Sequence, residues 1–237
     1  MKVLLLSTST VHGKPYLEYC NELLEQYYQN IKNLLFIPFA RPSGISCEDY
    51  TSKVRERFDK LNIKTTGLNE YEDKTAVVNE SEAIFVGGGN TFLLLNDLYK
   101  YKIIQAIRDR VKSGNTQYMG TSAGSNIGGL TINTTNDMPI IYPPSFEALS
   151  LVKFNLNPHY LDPDPTSTHK GETRETRINE FHSLDNNNQI VLGLREGSGL
   201  LIENNKISLT GEHSMRVFEK NKSAYELNNS DDLSFLL

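Results

Sequence analysis

Ala83-Ile84-Phe85-Val86 runs straight into Gly87-Gly88-Gly89-Asn90, and Gln117-Tyr118-Met119 runs straight into Gly120-Thr121-Ser122-Ala123-Gly124. In each stretch a short apolar run, the mark of a buried strand, stops abruptly on a glycine-rich loop. A helical pattern begins near Asn90-Thr91 and runs, with a break, to Lys112. The same alternation extends outward. Residues 3–6, 34–37 and 63–68 read as strands, with helices over residues 16–28 and 48–61 between them. Downstream, residues 152–156 and 190–192 read as strands, residues 172–183 as a polar helix, and residues 200–225 as short strands joined by turns. Short strands between longer helices predict βαβ units: a three-layer α/β sandwich, with a mostly parallel twisted sheet covered by helices on both faces. In such sheets ligands bind at the carboxyl ends of strands. Both glycine loops occupy that position.

Composition narrows the function. The chain has 237 residues, 38% of them hydrophobic and 22% charged, enough for a sizeable core. No composition shift, charge run or repeat divides it, so residues 1–237 read as one domain. The formal net charge is −5, with Lys and Arg scattered along the chain. Nucleic acid needs a concentrated basic surface and is excluded as a partner. The opening Met1-Lys2-Val3-Leu4-Leu5-Leu6 is too short an apolar run for a signal peptide, and no stretch approaches a membrane span. A cytoplasmic protein with no membrane contact is expected, either monomer or homodimer. Cys20 and Cys47 have no metal-ligand spacing around them and read as ordinary thiols.

Gly120-Thr121-Ser122-Ala123-Gly124 fits G-x-S-x-G, the sharp strand-to-helix turn that lifts a nucleophilic serine above a sheet. The glycines let strand and helix approach closely while the serine backbone is held under strain. The backbone N–H of Ala123 would then face a developing oxyanion. The pattern alone arises by chance in about one chain in ten of this length, so its place after an apolar strand carries the reading. The triglycine loop lacks the Lys-Ser/Thr of a P-loop and the full G-x-G-x-x-G spacing. A second oxyanion donor, Gly88 or Gly89, explains it, and so does a phosphate cradle or a plain turn.

These segments resemble peptidase E, the aspartyl dipeptidase family. The resemblance rests on the Ser122 turn, the opening Leu-Leu-Leu-Ser-Thr-Ser-Thr, Phe36-Ile37-Pro38-Phe39-Ala40 and Val86-Gly87-Gly88-Gly89-Asn90-Thr91-Phe92. Thr134-Thr135-Asn136-Asp137-Met138-Pro139, Asn157-Pro158-His159 and His169-Lys170-Gly171-Glu172-Thr173-Arg174 follow in family order. The resemblance implies a fold related to the glutamine amidotransferase-like domains and hydrolysis of dipeptides with an N-terminal aspartate. It also implies Ser122 as nucleophile and His159 as general base, with no metal or cofactor. His159 is one of five histidines and follows a predicted strand, which suits a base that must reach Ser122. The carboxylate that orients it is either Glu196, which also follows a strand end, or Asp137, which would keep the Ser, acid, His order. Glu196 is favoured, leaving Asp137 to shape the pocket.

Recognition of aspartate needs a cation, and Arg174 is the candidate, since a guanidinium grips a carboxylate bidentately. Lys170 and Arg177 are its sequence neighbours, Asn90 could add a hydrogen bond, and Glu172 or Asp137 could accept from the substrate's amine. Two alternatives stand beside this reading. One is a cyanophycinase-like enzyme cutting beta-aspartyl-arginine units, and the other is a non-enzymatic anion-binding module built on the triglycine loop.

Overall fold

The computed structural model describes residues 1–166, 168 and 170–237; His169, part of the family-like segment above, lies outside them. Five strands form the parallel part of the main sheet: β1 (Lys2–Leu6), β2 (Asn33–Ile37), β3 (Lys64–Gly67), β4 (Ala83–Val86) and β5 (Gln117–Thr121). Their order across the sheet is β3-β2-β4-β5-β1. The crossovers carry α1 (Asn21–Tyr27), α2 (Cys47–Asp59), α3 (Lys74–Glu80), and then α4 (Thr91–Lys100) with α5 (Ile104–Lys112). After β5 the chain makes the four-residue α6 (Ala123–Asn126) and a long loop. It then enters β6 (Asn155–Pro158), α7 (Arg174–Ser183) and β7 (Val191–Leu194). Two antiparallel strands, β8 (Gly199–Glu203) and β9 (Lys206–Thr210), extend the main sheet beyond β1.

Strand alternation builds the layers. Val3 and Leu5 of β1 join a core with α4 and α5, whereas Leu4 and Leu6 join a second core with α1 and α2. Each fully buried leucine contributes roughly 1.5–3 kcal/mol. The expected helices on both faces of a mostly parallel sheet are present.

The sequence reading did not anticipate a second, four-stranded sheet. Strands β10 (Met215–Phe218) and β11 (Tyr225–Leu227) leave the main sheet and pair in the order β11-β10-β7-β6. Leu156, Leu192, Leu194 and Val217 of this sheet pack into the same core as α4 and α5. Three boundaries also move. The helix expected over residues 16–28 starts only at Asn21, because Leu17 turns left-handed (φ 55°) and its N–H bonds the Ser9 carbonyl. The break before α5 falls at Lys102, also left-handed. The strand expected over residues 152–156 begins instead at Asn155, since the N–H groups of Leu151 and Val152 bond the Gly128 carbonyl beside α6. That shift makes His159 the first residue past β6. Cys20 is buried, Cys47 is partly so, and neither is in a disulfide. Burial pushes the Cys20 thiol up to about 12.

The join between β5 and α6 leaves no room for side chains at its glycines. A Cβ on Gly124 would fall on the Val86 carbonyl oxygen, and one on Gly120 would fall on the Gly124 backbone. The Tyr118 hydroxyl donates to the Gly124 carbonyl at 2.6 Å. Gly124→Ala is expected to destabilise the protein by about 1–3 kcal/mol through backbone overpacking. An unchanged urea midpoint would show that α6 can shift away from β4.

Candidate active site

Ser122 stands between β5 and α6 with φ 53° and ψ −113°, a backbone conformation that costs a non-glycine residue about 1–3 kcal/mol. It is pinned from several sides. Its N–H bonds the Leu6 carbonyl at the end of β1 (3.1 Å), and its carbonyl accepts from Ser125 and Asn126, each at 2.9 Å. Gly88 lies against it, close enough that a Cβ there would come within 2.9 Å of the Ser122 Cβ. The Ala123 N–H opens α6 and has no acceptor among the described residues.

His159 reaches Ser122 from the second sheet. Its Nε2 lies 2.9 Å from the Ser122 Oγ, and its Nδ1 lies 2.7 Å from Glu196 Oε1. His159 is itself left-handed (φ 54°), and its N–H donates to the Ser7 Oγ at 2.9 Å. That buried hydroxyl in turn donates to the Leu194 carbonyl at 2.8 Å. Ser7 thus ties the end of β1 to the ends of β6 and β7. Sequence reasoning passed over it, although its place at a strand end was visible. With one nitrogen on a carboxylate, the other can accept the serine proton, the arrangement general-base activation requires.

The other expected residues gather around this line, some in altered roles. Glu196, not Asp137, contacts the imidazole. Asp137 sits at the start of α4, where its Oδ2 accepts from the Thr91 N–H (2.7 Å), the Thr91 hydroxyl (2.6 Å) and the Thr135 hydroxyl (3.2 Å). A carboxylate there complements the helix dipole. Its Oδ1 has no hydrogen bond among the described residues, and Asp137 lines the same cleft as Ser122 and His159. Asn90 caps α4, accepting from the Leu93 N–H at 3.0 Å and donating to the Met138 carbonyl at 2.8 Å.

The triglycine loop differs from expectation. The Gly88 N–H donates to the buried Tyr50 hydroxyl at 3.0 Å, and the Gly87 N–H bonds the Ile37 carbonyl. Only the Gly89 amide lacks a partner among the described residues. With two of three amides engaged inside the protein, the loop offers no phosphate cradle. Gly88 is the glycine that lies against Ser122, while the unengaged Gly89 packs on Ala40. No pattern in the sequence signals that Tyr50, on α2, takes the Gly88 amide.

Arg174 is the first residue of α7 and half-buried, and it forms no ion pair among the described residues. Burial pulls its guanidinium below the usual range, Arg177 adds to this, and attraction to Asp137 opposes it. Glu172 is exposed and shares with Arg174 a cleft of about 330 Å³ along the segment after His159. The gap at Ser122 itself measures about 20 Å³, room for about one water. Among the described residues no cluster of metal-ligating side chains occurs, and no helix is long and apolar enough to cross a membrane.

The family description "Peptidase family S51" matches residues 3–210. The chain belongs to peptidase family S51. Within that family it is 46% identical to a peptidase E of Streptomyces coelicolor, the match covering 100% of this chain and 95% of that one. It is 44% identical to a probable alpha-aspartyl dipeptidase of Drosophila melanogaster, covering 99% and 97% of the two chains. The fold matches a crystal structure of a putative peptidase E from Listeria monocytogenes, with TM-score 0.66 at 20% identity over 90% of this chain and 98% of that one. It also matches a peptidase from an acI-B1 actinobacterium, with TM-score 0.69 at 19% identity over 99% and 96%.

The position of Asp137 in this S51 chain generates a stability test. Asp137→Ala is expected to cost about 1–2 kcal/mol by uncapping α4. Asp137→Asn, whose amide oxygen can still accept from Thr91, should recover part of that loss in urea denaturation. Equal losses would mean that charge, and not the cap, is what α4 needs.

Proposed function

We propose that this S51 peptidase hydrolyses dipeptides with an N-terminal aspartate through an acyl-enzyme on Ser122. The observation that carries the reading is the continuous line from Glu196 through His159 to Ser122 Oγ, with contacts of 2.7 and 2.9 Å. The names of the relatives, peptidase E and probable alpha-aspartyl dipeptidase, support the substrate class.

His159 takes the serine proton as Oγ attacks the scissile carbonyl, and Glu196 steadies the imidazolium that forms. The N–H groups of Ala123 and of the triglycine loop, Gly88 against Ser122 or the unengaged Gly89, hold the oxyanion. His159 then protonates the leaving amine, and water, activated by the same base, releases aspartate. Arg174 receives the aspartate side chain. A half-buried guanidinium with no ion partner among the described residues favours a carboxylate ligand. The open Oδ1 of Asp137 accepts from the substrate's α-ammonium.

Aspartyl p-nitroanilide, with the leucyl compound as control, tests the whole reading. Wild type should cleave the first alone, and Ser122→Ala should lose roughly 10⁴-fold or more in kcat. Cleavage of beta-aspartyl-arginine in place of the alpha-linked compound would move the substrate to the cyanophycin type.

Arg174→Ala should lower kcat/KM for the aspartyl compound by about 10–100-fold, the loss of one charge-assisted pair. Undiminished preference for aspartate over alanine in that variant would place the specificity cation elsewhere.

A further inference from the structure

His159 and Glu196 meet as two partly exposed side chains, 37% and 50% accessible. An ion pair so open to solvent holds its own geometry weakly, because water competes and both side chains lose entropy. The contact nevertheless has to be set closely for proton transfer. Something else must fix the two loops that carry it.

Those loops leave neighbouring strands. Strands β6 and β7 are parallel partners with Pro158 opposite Leu194, so His159 and Glu196 emerge side by side. The Tyr160 N–H bonds the Leu194 carbonyl at 3.0 Å, the last backbone tie before the loops diverge. Beyond it, Arg195 reaches across. Its Nε and Nη2 donate to both oxygens of Asp162, at 2.8 and 2.6 Å. Its Nη1 and Nη2 donate to both oxygens of Glu226 on β11, at 2.9 and 3.0 Å, and Nη1 also donates to the Ser214 carbonyl at 2.7 Å. The guanidinium carbon lies 5.5 Å from the centre of the Tyr160 ring. Every edge of this guanidinium is therefore engaged, and the side chain is only 18% accessible.

We propose that Arg195 is a positioning residue, a staple that fixes the loop after His159 to the loop before Glu196 and so sets the imidazole–carboxylate contact. Asp162 follows His159 in the chain and Arg195 directly precedes Glu196, so each bidentate bond across the staple constrains both partners at once. Glu226 anchors the staple to the edge of the second sheet. The network continues from Glu226 through Arg216 to Glu175, the neighbour of Arg174, at 3.4 and 3.1 Å. Hydrogen bonds from Arg195 hold the Asp162 carboxyl below its usual range. The staple rests on the reading of Ser122, His159 and Glu196 as a catalytic line but not on the choice of peptide substrate.

The test uses two variants. Arg195→Lys keeps the charge and loses the fork. Asp162→Asn alters only the 57%-accessible partner, leaves Arg195 on Glu226, and serves alone if the first variant does not fold. Two properties are read in each. The first is the low-field proton NMR signal of the His159 Nδ1–H, recorded with the imidazole protonated and assigned by its absence in His159→Gln. The second is kcat and KM for aspartyl p-nitroanilide. The staple requires the signal to weaken or move upfield and kcat to fall about tenfold or more, with KM held within about twofold. An unchanged signal overturns the proposal even if kcat falls, because Arg195 would then act elsewhere. A wild type with no such signal overturns it too. A wild type that shows the signal without cleaving aspartyl compounds counts against the substrate reading, and the signal alone then decides the staple.

Discussion

The backbone of Ser122 is the constraint on which the rest of the site depends. A non-glycine residue at φ 53° and ψ −113° persists only where its surroundings leave it no alternative. Here the surroundings are the missing side chains of Gly88, Gly120 and Gly124, which let three pieces of backbone close on one another. The Leu6 carbonyl and the Tyr118 hydroxyl secure the turn from either side. The result is a serine held just past the carboxyl end of β5, followed by an Ala123 N–H with no acceptor among the described residues. Strain stored in the turn is balanced by the burial around β1, β4 and β5.

The second sheet matters because a nucleophile raised by the first sheet needs a base that arrives from outside it. Strands β6 and β7 leave their parallel pair at adjacent points, and Ser7 links their exits to the end of β1 through two hydrogen bonds. Both sheets are thereby registered on one hydroxyl. The family resemblance is to peptidases, and the geometry gives it a physical basis: the ends of β1, β5, β6 and β7 converge where a substrate carbonyl would lie. Asp137 and Asn90, which read from sequence as possible site residues, prove to be the capping groups of α4. Both polar atoms of Asn90 are engaged, whereas Asp137 keeps its Oδ1 open where it lines the cleft.

Much of this was legible in the sequence. Short apolar runs ending on glycine loops identified β4 and β5, and resemblance pointed to His159, with strand-end position supporting it and favouring Glu196. Resemblance supplied the substrate class, and the need for a cation to hold the aspartate carboxylate then pointed to Arg174. What stayed hidden involves contacts between residues far apart in the chain. The Gly88 amide looks free until Tyr50, 38 residues upstream, folds onto it. Single left-handed residues such as Lys102 break helical patterns without a proline or glycine to announce them. The second sheet escaped notice because β10 and β11 are short, and the pairing of β10 with β7 and of β11 with β10 depends on a chain reversal that leaves no periodic trace.

The most direct measurement is treatment with a fluorophosphonate, followed by peptide mapping of the adduct by mass spectrometry. Activation of Ser122 by His159 requires a single adduct on Ser122. Ser125, three residues on, is buried with its hydroxyl bonded at 2.7 Å to the Leu6 and Gly120 carbonyls, and it should stay unmodified. No adduct, or an adduct on any other serine, would contradict the assignment of Ser122 as the activated nucleophile.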